Sequence, residues 1–229
     1  MRKSAAAQLL STRKYRTSTL REYQATTLAR KFYEVDPRRV APALLGKLLV
    51  RRDKRELLVG RIVETEAYLG ARDAAAHAAA GETARNRVLF GPPGHAYVYF
   101  TYGMHYCLNV SCMPAGDAGC VLIRALEPLT GLRTMALARD LTLENRRLLC
   151  SGPARLCEAF GITRERDNGK DLTVAQDLWI ADDGFEAGDI VTTTRIGITK
   201  SPELPLRFYL RDNEFVSRRA ATREKSLLS

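Results

Sequence analysis

Two carboxylates placed two residues apart are the groups best suited to chemistry in this chain of 229 residues. Glu64 and Glu66 lie in the run GRIVETEAYL, residues 60–69, whose branched apolar residues predict a β-strand. Because successive side chains of a strand alternate between its faces, the two Glu side chains share one face. Apolar surroundings disfavour an ionised carboxylate without partners. Each Glu is therefore either a structural residue paired with Arg or a candidate for general acid–base chemistry.

Aromatic residues and a histidine accompany these carboxylates. Tyr68 ends the same strand, His77 follows it, and residues 97–109 read YVYFTYGMHYCLN, with four tyrosines. Carboxylate, imidazole and phenol groups together suit a planar ligand, including a cationic one. Aromatic strands also occur simply as core, and the spacing alone leaves both interpretations open.

Composition favours a nucleic acid as the partner. Lys and Arg number 36 against 26 Asp and Glu, which gives a formal charge of +10 and a pI near 9.6. Such an excess suits polyanions. We find neither the roughly 20 consecutive apolar residues that span a bilayer nor a basic amphipathic helix with aromatic anchors, so no membrane partner is predicted. The length and the 45% hydrophobic content fit one domain with a substantial core.

Cysteine usage predicts an intracellular protein without a metal site. The five cysteines lack the paired spacing of a zinc ribbon and follow no secretory leader, so we expect reduced, mostly buried thiols. The three histidines do not supply the ligand pattern of a zinc deaminase, and phosphate-binding glycine loops are missing. We predict no metal and no organic cofactor.

The order of elements indicates a central sheet with helices around it. Residues 1–30 are polar, basic and poor in acidic residues, which predicts a disordered tail that could engage DNA, target an organelle or have no specific role. A helix should follow Asp36-Pro37, and further helical signals occur over residues 130–149 and, capped by Ser151, up to Gly161. Strands are predicted over residues 47–51, 57–68, 96–102, 106–112, 120–126, 178–181, 190–198 and 206–210.

Residues 96–112 should form a β-hairpin. The sequence Tyr102-Gly103-Met104-His105 is a compact turn in which Gly103 can take a positive φ. Tyr102 would then lie exposed at the hairpin tip.

Several motifs together resemble the alkyladenine DNA glycosylase family. They are VETEAYLG, His77, RNR at residues 85–87, YVYFTYGMHYCLN, VLIRALEP, LCSGPARLC and PLRFY, in the family's order. The resemblance implies a mixed α+β fold: a single domain over residues 31–220 with a curved antiparallel β-sheet, flanking helices and a protruding β-hairpin, followed by a C-terminal tail at 221–229. It also implies a monomeric, monofunctional base-excision repair enzyme, intracellular and associated with DNA. Its substrates would be 3-methyladenine, 7-methylguanine, hypoxanthine and ethenoadenine in duplex DNA.

The same resemblance assigns roles in base flipping, which exposes a damaged purine to the active site. Tyr102 matches the residue that intercalates into the DNA, a wedge of the kind that unstacks a base step. Tyr68 and Tyr99 match the residues that stack on the flipped base, with His77 on its other face and able to donate a hydrogen bond. Asn109 matches a position whose side chain would clash with the 2-amino group of normal guanine.

The chemical step is also assigned by resemblance. Glu66 would be the general base that activates a water, while Arg124 and the backbone carbonyl of Ile196 hold that water. Glu64 would be a structural partner. No lysine lies in these motifs, so a Schiff-base lyase step is not expected.

Two departures and two alternatives accompany the resemblance. Phe100-Thr101 replaces an aliphatic pair, and His105 stands where the family often has an aromatic residue, which affects the geometry of the wedge. A binding module without activity, or a hydrolase of free nucleosides, would fit parts of the pattern. The basic residues expected to contact phosphates, and so to make binding depend on salt, are Arg85, Arg87, Arg207, Arg218 and Arg219.

Overall fold

The computed structural model describes residues 19–53, 56–101 and 103–218. Within them, eight strands form one antiparallel sheet: β1 Leu48–Asp53, β2 Glu56–Tyr68, β3 Ala96–Thr101, β4 His105–Cys112, β5 Gly119–Thr130, β6 Leu178–Ala181, β7 Ile190–Thr193 and β8 Arg207–Leu210. This arrangement confirms the predicted mixed α+β domain built on an antiparallel sheet. The largest difference concerns β7, which stops at Thr193 because the following residues turn toward Glu66.

Short helices surround the sheet. They are α1 Leu20–Ala25, α2 Pro37–Ala43, α3 Leu132–Ala138, α4 Pro153–Ala159 and α5 Arg164–Asp167, with 3-10 turns at Arg30–Tyr33, Gly70–Arg72, Arg87–Phe90 and Leu143–Leu148. In the described part of the chain, no helix combines the length and the apolar character that crossing a membrane requires. The predicted cap at Ser151 is wrong: Gly152 occupies the N-cap of α4, and the Ser151 hydroxyl instead accepts a hydrogen bond from Arg155.

Strand β2 is the centre of the sheet. The strand order is β3-β4-β5-β2-β1-β6, so the sheet is open. Strand β8 lies outside this order: it pairs with residues 64–66 of β2 and with β7. Register shifts interrupt the pairing of β2 with β5 between Ile62 and Thr65. Two of these shifts flank Glu64, and bulges of this kind bend a strand and increase its twist.

The main core lies between the sheet and the helices. Helix α4 packs on β4 and β5, and α2 packs on β2. Leu156 within α4 and Phe160 directly after it are buried together with Ile62 and Ile123 of the sheet. All five cysteines are buried free thiols, as the sequence predicted.

The prediction of disorder through residue 30 is wrong for residues 19–30. Thr19 and Glu22 form a capping box at the start of α1, and Tyr23 is buried. The indole N–H of Trp179 donates to the carbonyl of Tyr23 at 3.2 Å, and the Leu28 amide donates to Ile180 at 2.9 Å. One buried aromatic and pairing to strand β6 thus order a segment whose composition is polar. Residues 1–18 and 221–229, the rest of the predicted tails, lie outside the described residues.

The predicted hairpin is present. Strands β3 and β4 pair from Ala96–Val110 to Thr101–His105, and Gly103 has a φ of +71°. Phe100 and Met104 near the turn are exposed at 44% and 70%. Tyr102 itself lies outside the described residues.

Candidate active site

Strand β2 brings Glu66 into a fully enclosed position with three hydrogen-bond donors. Its Oε1 accepts from the Ile196 amide at 2.8 Å and contacts Nη1 of Arg124 at 3.2 Å, while Oε2 accepts from the Tyr68 hydroxyl at 3.0 Å. A carboxylate offers about four acceptor positions, so one remains for a water. The structure therefore brings Glu66, Tyr68, Arg124 and Ile196 together. Ile196 reaches Glu66 through its amide rather than through the carbonyl singled out from the sequence.

Glu64 is the better paired of the two carboxylates. Its oxygens accept from Nε of Arg124 at 3.1 Å, from Nη1 of Arg207 at 2.8 Å, and from the amide and hydroxyl of Ser217 at 2.7 and 3.0 Å. These contacts agree with a structural role. They also show that Arg207, 3% exposed, is not available to the DNA phosphates that it was expected to contact.

A cavity of about 200 Å³ opens beside Tyr68. This volume lies below the ~300–1,000 Å³ of typical small-molecule sites and suits a ligand of the size of one base. Glu66 does not line the cavity itself, but it contacts Tyr68, which does, and Ile196, which precedes the lining residue Gly197. The lining residues are Tyr68, Ala75, His77, Arg85, Tyr97, Tyr99, Thr101, Asn109, Cys120, Gly197 and Ile198.

The rings of His77 and Tyr99 belong to the same wall. Their centroids lie 4.4 Å apart at 74°, in direct edge contact. A base placed between two rings would separate them by roughly 7 Å, twice the ~3.5 Å contact distance. A base could therefore lie between Tyr99 and His77, as the sequence predicted, only if the two rings moved apart. Tyr68 is left as the ring that can cover the other face.

The environment keeps the ring groups neutral. Burial, followed by the charge and hydrogen bond of Glu66, raises the pKa of Tyr68 far above its usual value, so the phenol stays protonated and donates. Burial likewise raises the pKa of Tyr97 to about 12. Burial and then the charge of Arg85 lower the pKa of His77, so its imidazole is neutral near pH 7. Tyr97 contacts Nδ1 of His77 at 2.9 Å, which leaves Nε2 free for another partner.

We expect Arg85→Gln to raise the pKa of His77 while leaving it below about 6.5, the ordinary value. The substitution removes the repulsion by the guanidinium but leaves the burial that disfavours the imidazolium. An NMR titration of the His77 ring protons measures the change. Arg87→Gln is the matched control because Arg87 is exposed and does not line the cavity. A His77 pKa equal in wild type and Arg85→Gln would contradict the assigned cause.

Comparison with known proteins identifies the family of this chain. The family model described as methylpurine-DNA glycosylase matches residues 31–214. The chain belongs to this family. A protein of Koribacter versatilis named "Putative 3-methyladenine DNA glycosylase" is 60% identical over 195 residues, which cover 85% of this chain and 94% of that protein. Proteins of the same name from Carboxydothermus hydrogenoformans and Methanoculleus marisnigri are 50% and 48% identical, over 84% of this chain and 99% and 100% of theirs.

In this DNA glycosylase, Asn109 both lines the cavity and supports its wall. Its Nδ2 donates to the carbonyl of Tyr97 at 3.2 Å, and its Oδ1 lies 3.9 Å from the thiol sulfur of Cys120. The two contacts fix the orientation of the amide. Asn109 thus satisfies a backbone carbonyl of β3 and also lines the cavity.

Sequence reasoning missed several residues of the glycosylase site. Tyr97 could have been found, because it lies two residues before Tyr99 and so on the same strand face. Arg195, whose guanidinium lies 4.6 Å from the centre of the Tyr68 ring, had no motif to mark it. Neither did Ser217. Among the described residues, no group of three or more His, Cys, Asp or Glu side chains could hold a metal ion.

Proposed function

We propose that this glycosylase flips alkylated or deaminated purines out of duplex DNA and hydrolyses their N-glycosidic bond, without a lyase step. The substrates would be 3-methyladenine, 7-methylguanine, hypoxanthine and ethenoadenine, and the enzyme would act as a monomer inside the cell. The names of the relatives support 3-methyladenine as a substrate. A base-sized cavity walled by aromatic rings supports planar purines as a class.

One observation carries the mechanism: Glu66 accepts hydrogen bonds from the Ile196 amide and from Tyr68, a cavity residue, is paired with Arg124, and keeps one acceptor position. In the proposed reaction a water occupies that position and gives its proton to Glu66 as it attacks the anomeric carbon. The carboxylate also stabilises the positive charge that develops on the sugar. Arg124 and the Ile196 amide hold the carboxylate in place, and the Ile196 carbonyl would help to orient the water.

Base recognition would follow from the cavity walls. Tyr68 would stack on one face of the flipped purine, with Tyr99 and His77 against the other. His77 could donate from Nε2, because its Nδ1 already contacts Tyr97. Electron-rich phenols favour electron-poor alkylated purines by about 0.5–2 kcal/mol.

Flipping would depend on the β3–β4 hairpin. We propose Tyr102 as the residue that fills the gap left by the base, since it follows Thr101 at the turn. The exposed Phe100 and Met104 would broaden this apolar tip, and the cost of unstacking would be offset by contacts to the bent duplex. Exposed residues such as Arg85 and Arg87 would contact phosphates, which makes binding depend on salt.

The test is single-turnover release of base from duplexes that carry one hypoxanthine or one ethenoadenine, followed by alkali to reveal abasic sites. Release, with strand breaks only after alkali, supports a monofunctional glycosylase. Duplex binding without release from these or methylated duplexes would replace this proposal with a binding module. Hydrolysis of free nucleosides without salt-dependent duplex affinity would indicate a nucleoside hydrolase instead.

We expect Asn109→Ala to increase release of normal guanine. The substitution removes the amide that would oppose the 2-amino group, a repulsive contact on which discrimination can rest. It also removes the hydrogen bond to Tyr97, so release of hypoxanthine should fall modestly at the same time. Single-turnover assays on duplexes with and without hypoxanthine measure both rates. A fall in both rates by the same factor would argue that Asn109 only supports the wall.

A further inference from the structure

Arg195 and Asp73 form a buried ion pair in contact with Tyr68. Nη1 and Nη2 of Arg195 donate to the two carboxylate oxygens of Asp73 at 2.5 and 2.9 Å, and neither side chain is exposed to solvent. The guanidinium carbon lies over the Tyr68 ring, 4.6 Å from its centre. Tyr68 lines the cavity, whereas Arg195 and Asp73 do not. Arg195 therefore contacts the Tyr68 ring without belonging to the cavity lining.

This pair is held firmly in place. Arg195 also donates to the carbonyl of Ala67 at 3.1 Å, and Asp73 accepts from the amide of Ala75, a cavity residue, at 3.1 Å. Hydrogen bonds from Arg195 and the Ala75 amide outweigh the effect of burial and keep the pKa of Asp73 below its usual value, so the pair stays ionised. Burial and these hydrogen bonds fix both charges next to Tyr68.

A fixed cation on one face of an aromatic ring affects what the other face binds. The ring attracts cations through the negative charge of its faces, and Arg195 already uses one face of Tyr68. A second cation on the opposite face would meet the repulsion of the guanidinium across the ring in a poorly screened environment. Asp73 offsets part of this repulsion, but of the two charged groups it is the Arg195 guanidinium that lies over the ring.

We propose that the Arg195–Asp73 pair determines how strongly the site discriminates between cationic and neutral bases. Arg195 disfavours a cationic purine such as 7-methylguanine on Tyr68, and Asp73 restores part of its binding. A neutral purine such as hypoxanthine is little affected. This inference rests on the proposed function, and it assigns the charge preference of that same site to two residues outside the cavity lining.

The test is the ratio of single-turnover release rates for 7-methylguanine and hypoxanthine, each in the same duplex context with enzyme in excess. We expect Arg195→Gln to raise this ratio by about 3- to 10-fold, which corresponds to part of the free energy of a desolvated cation–π contact. Asp73→Asn leaves the guanidinium without its counter-ion and should lower the ratio. Because both rates are measured with one enzyme sample, a loss of folded protein lowers both alike and cancels in their ratio.

Arg61 provides the matched control. Its Nη1 and Nη2 bind Asp183 at 3.0 and 2.8 Å, and its guanidinium lies 4.0 Å from the centre of the Phe185 ring. Arg61 thus forms the same ion pair and ring contact as Arg195, but its ring partner, Phe185, does not line the cavity. Arg61→Gln should lower the melting temperature without changing the ratio.

The double variant Asp73→Asn with Arg195→Gln removes both charges and keeps a hydrogen-bonding pair, which protects the test if a single variant does not fold. Since Arg195 lies nearer the ring, the double variant should also raise the ratio. A ratio within twofold of wild type in the variants that fold, or a rise with Asp73→Asn, would overturn the proposal and leave the pair a structural one. If wild type releases neither base, the proposed function itself fails, and this inference fails with it.

Discussion

Replacing Glu66 by Gln is expected to slow base release by about 10²–10⁴-fold, the usual contribution of a general base. The amide has the size of the carboxylate. Its oxygen can still accept from the Ile196 amide and Arg124, and its NH₂ group can donate to the oxygen of Tyr68. The variant therefore keeps the site in place and removes the proton acceptor. Single-turnover release from a hypoxanthine duplex measures the loss.

Affinity for the same duplex decides whether the loss is chemical. Glu66→Gln should bind it at least as well as wild type, because a buried carboxylate contributes only repulsion toward phosphates. Glu56→Gln is the matched control, since Glu56 begins the same strand but is exposed. Release by Glu66→Gln at a rate close to wild type would eliminate Glu66 as the base.

The fold was predictable where local pattern and tertiary position agree. Strand β2 reads as a strand from residue types alone, and the β3–β4 hairpin follows from the position of Gly103. Segment 19–30 was not predictable in this way. Its order depends on Tyr23 and on pairing with β6, about 150 residues later in the chain.

The site was predictable where its residues lie within short sequence motifs. Glu66, Tyr68 and Arg124 meet as the motifs implied. The face that each ring presents was not predictable, because the contact between His77 and Tyr99 depends on the path of the loop after β2. Arg195 contacts Tyr68, and Ser217 contacts Glu64. Both come from the C-terminal part of the chain, at sequence separations that no local pattern encodes.

Arg124 should be the residue whose loss most damages stability and activity together. One guanidinium serves both carboxylates, with Nε on Glu64 at 3.1 Å and Nη1 on Glu66 at 3.2 Å. Burial alone would lower the pKa of Arg124, but the charges of Glu66 and Glu64 raise it above its usual value, so the group stays charged. Without it, two enclosed carboxylates lie close together, and among the described residues only Arg207 remains as a directly bound cation.

Arg124→Met is therefore expected to lower the free energy of unfolding by about 3–5 kcal/mol, the cost of leaving buried charge unpaired. Denaturant titration measures this change. Arg124→Lys keeps one charge but cannot bridge both carboxylates with separate nitrogens, so it should recover part of the stability and little of the release rate. That split separates the two roles of Arg124. If Lys restored release fully, the bridge would be unnecessary and a single positive charge near Glu66 would suffice for catalysis.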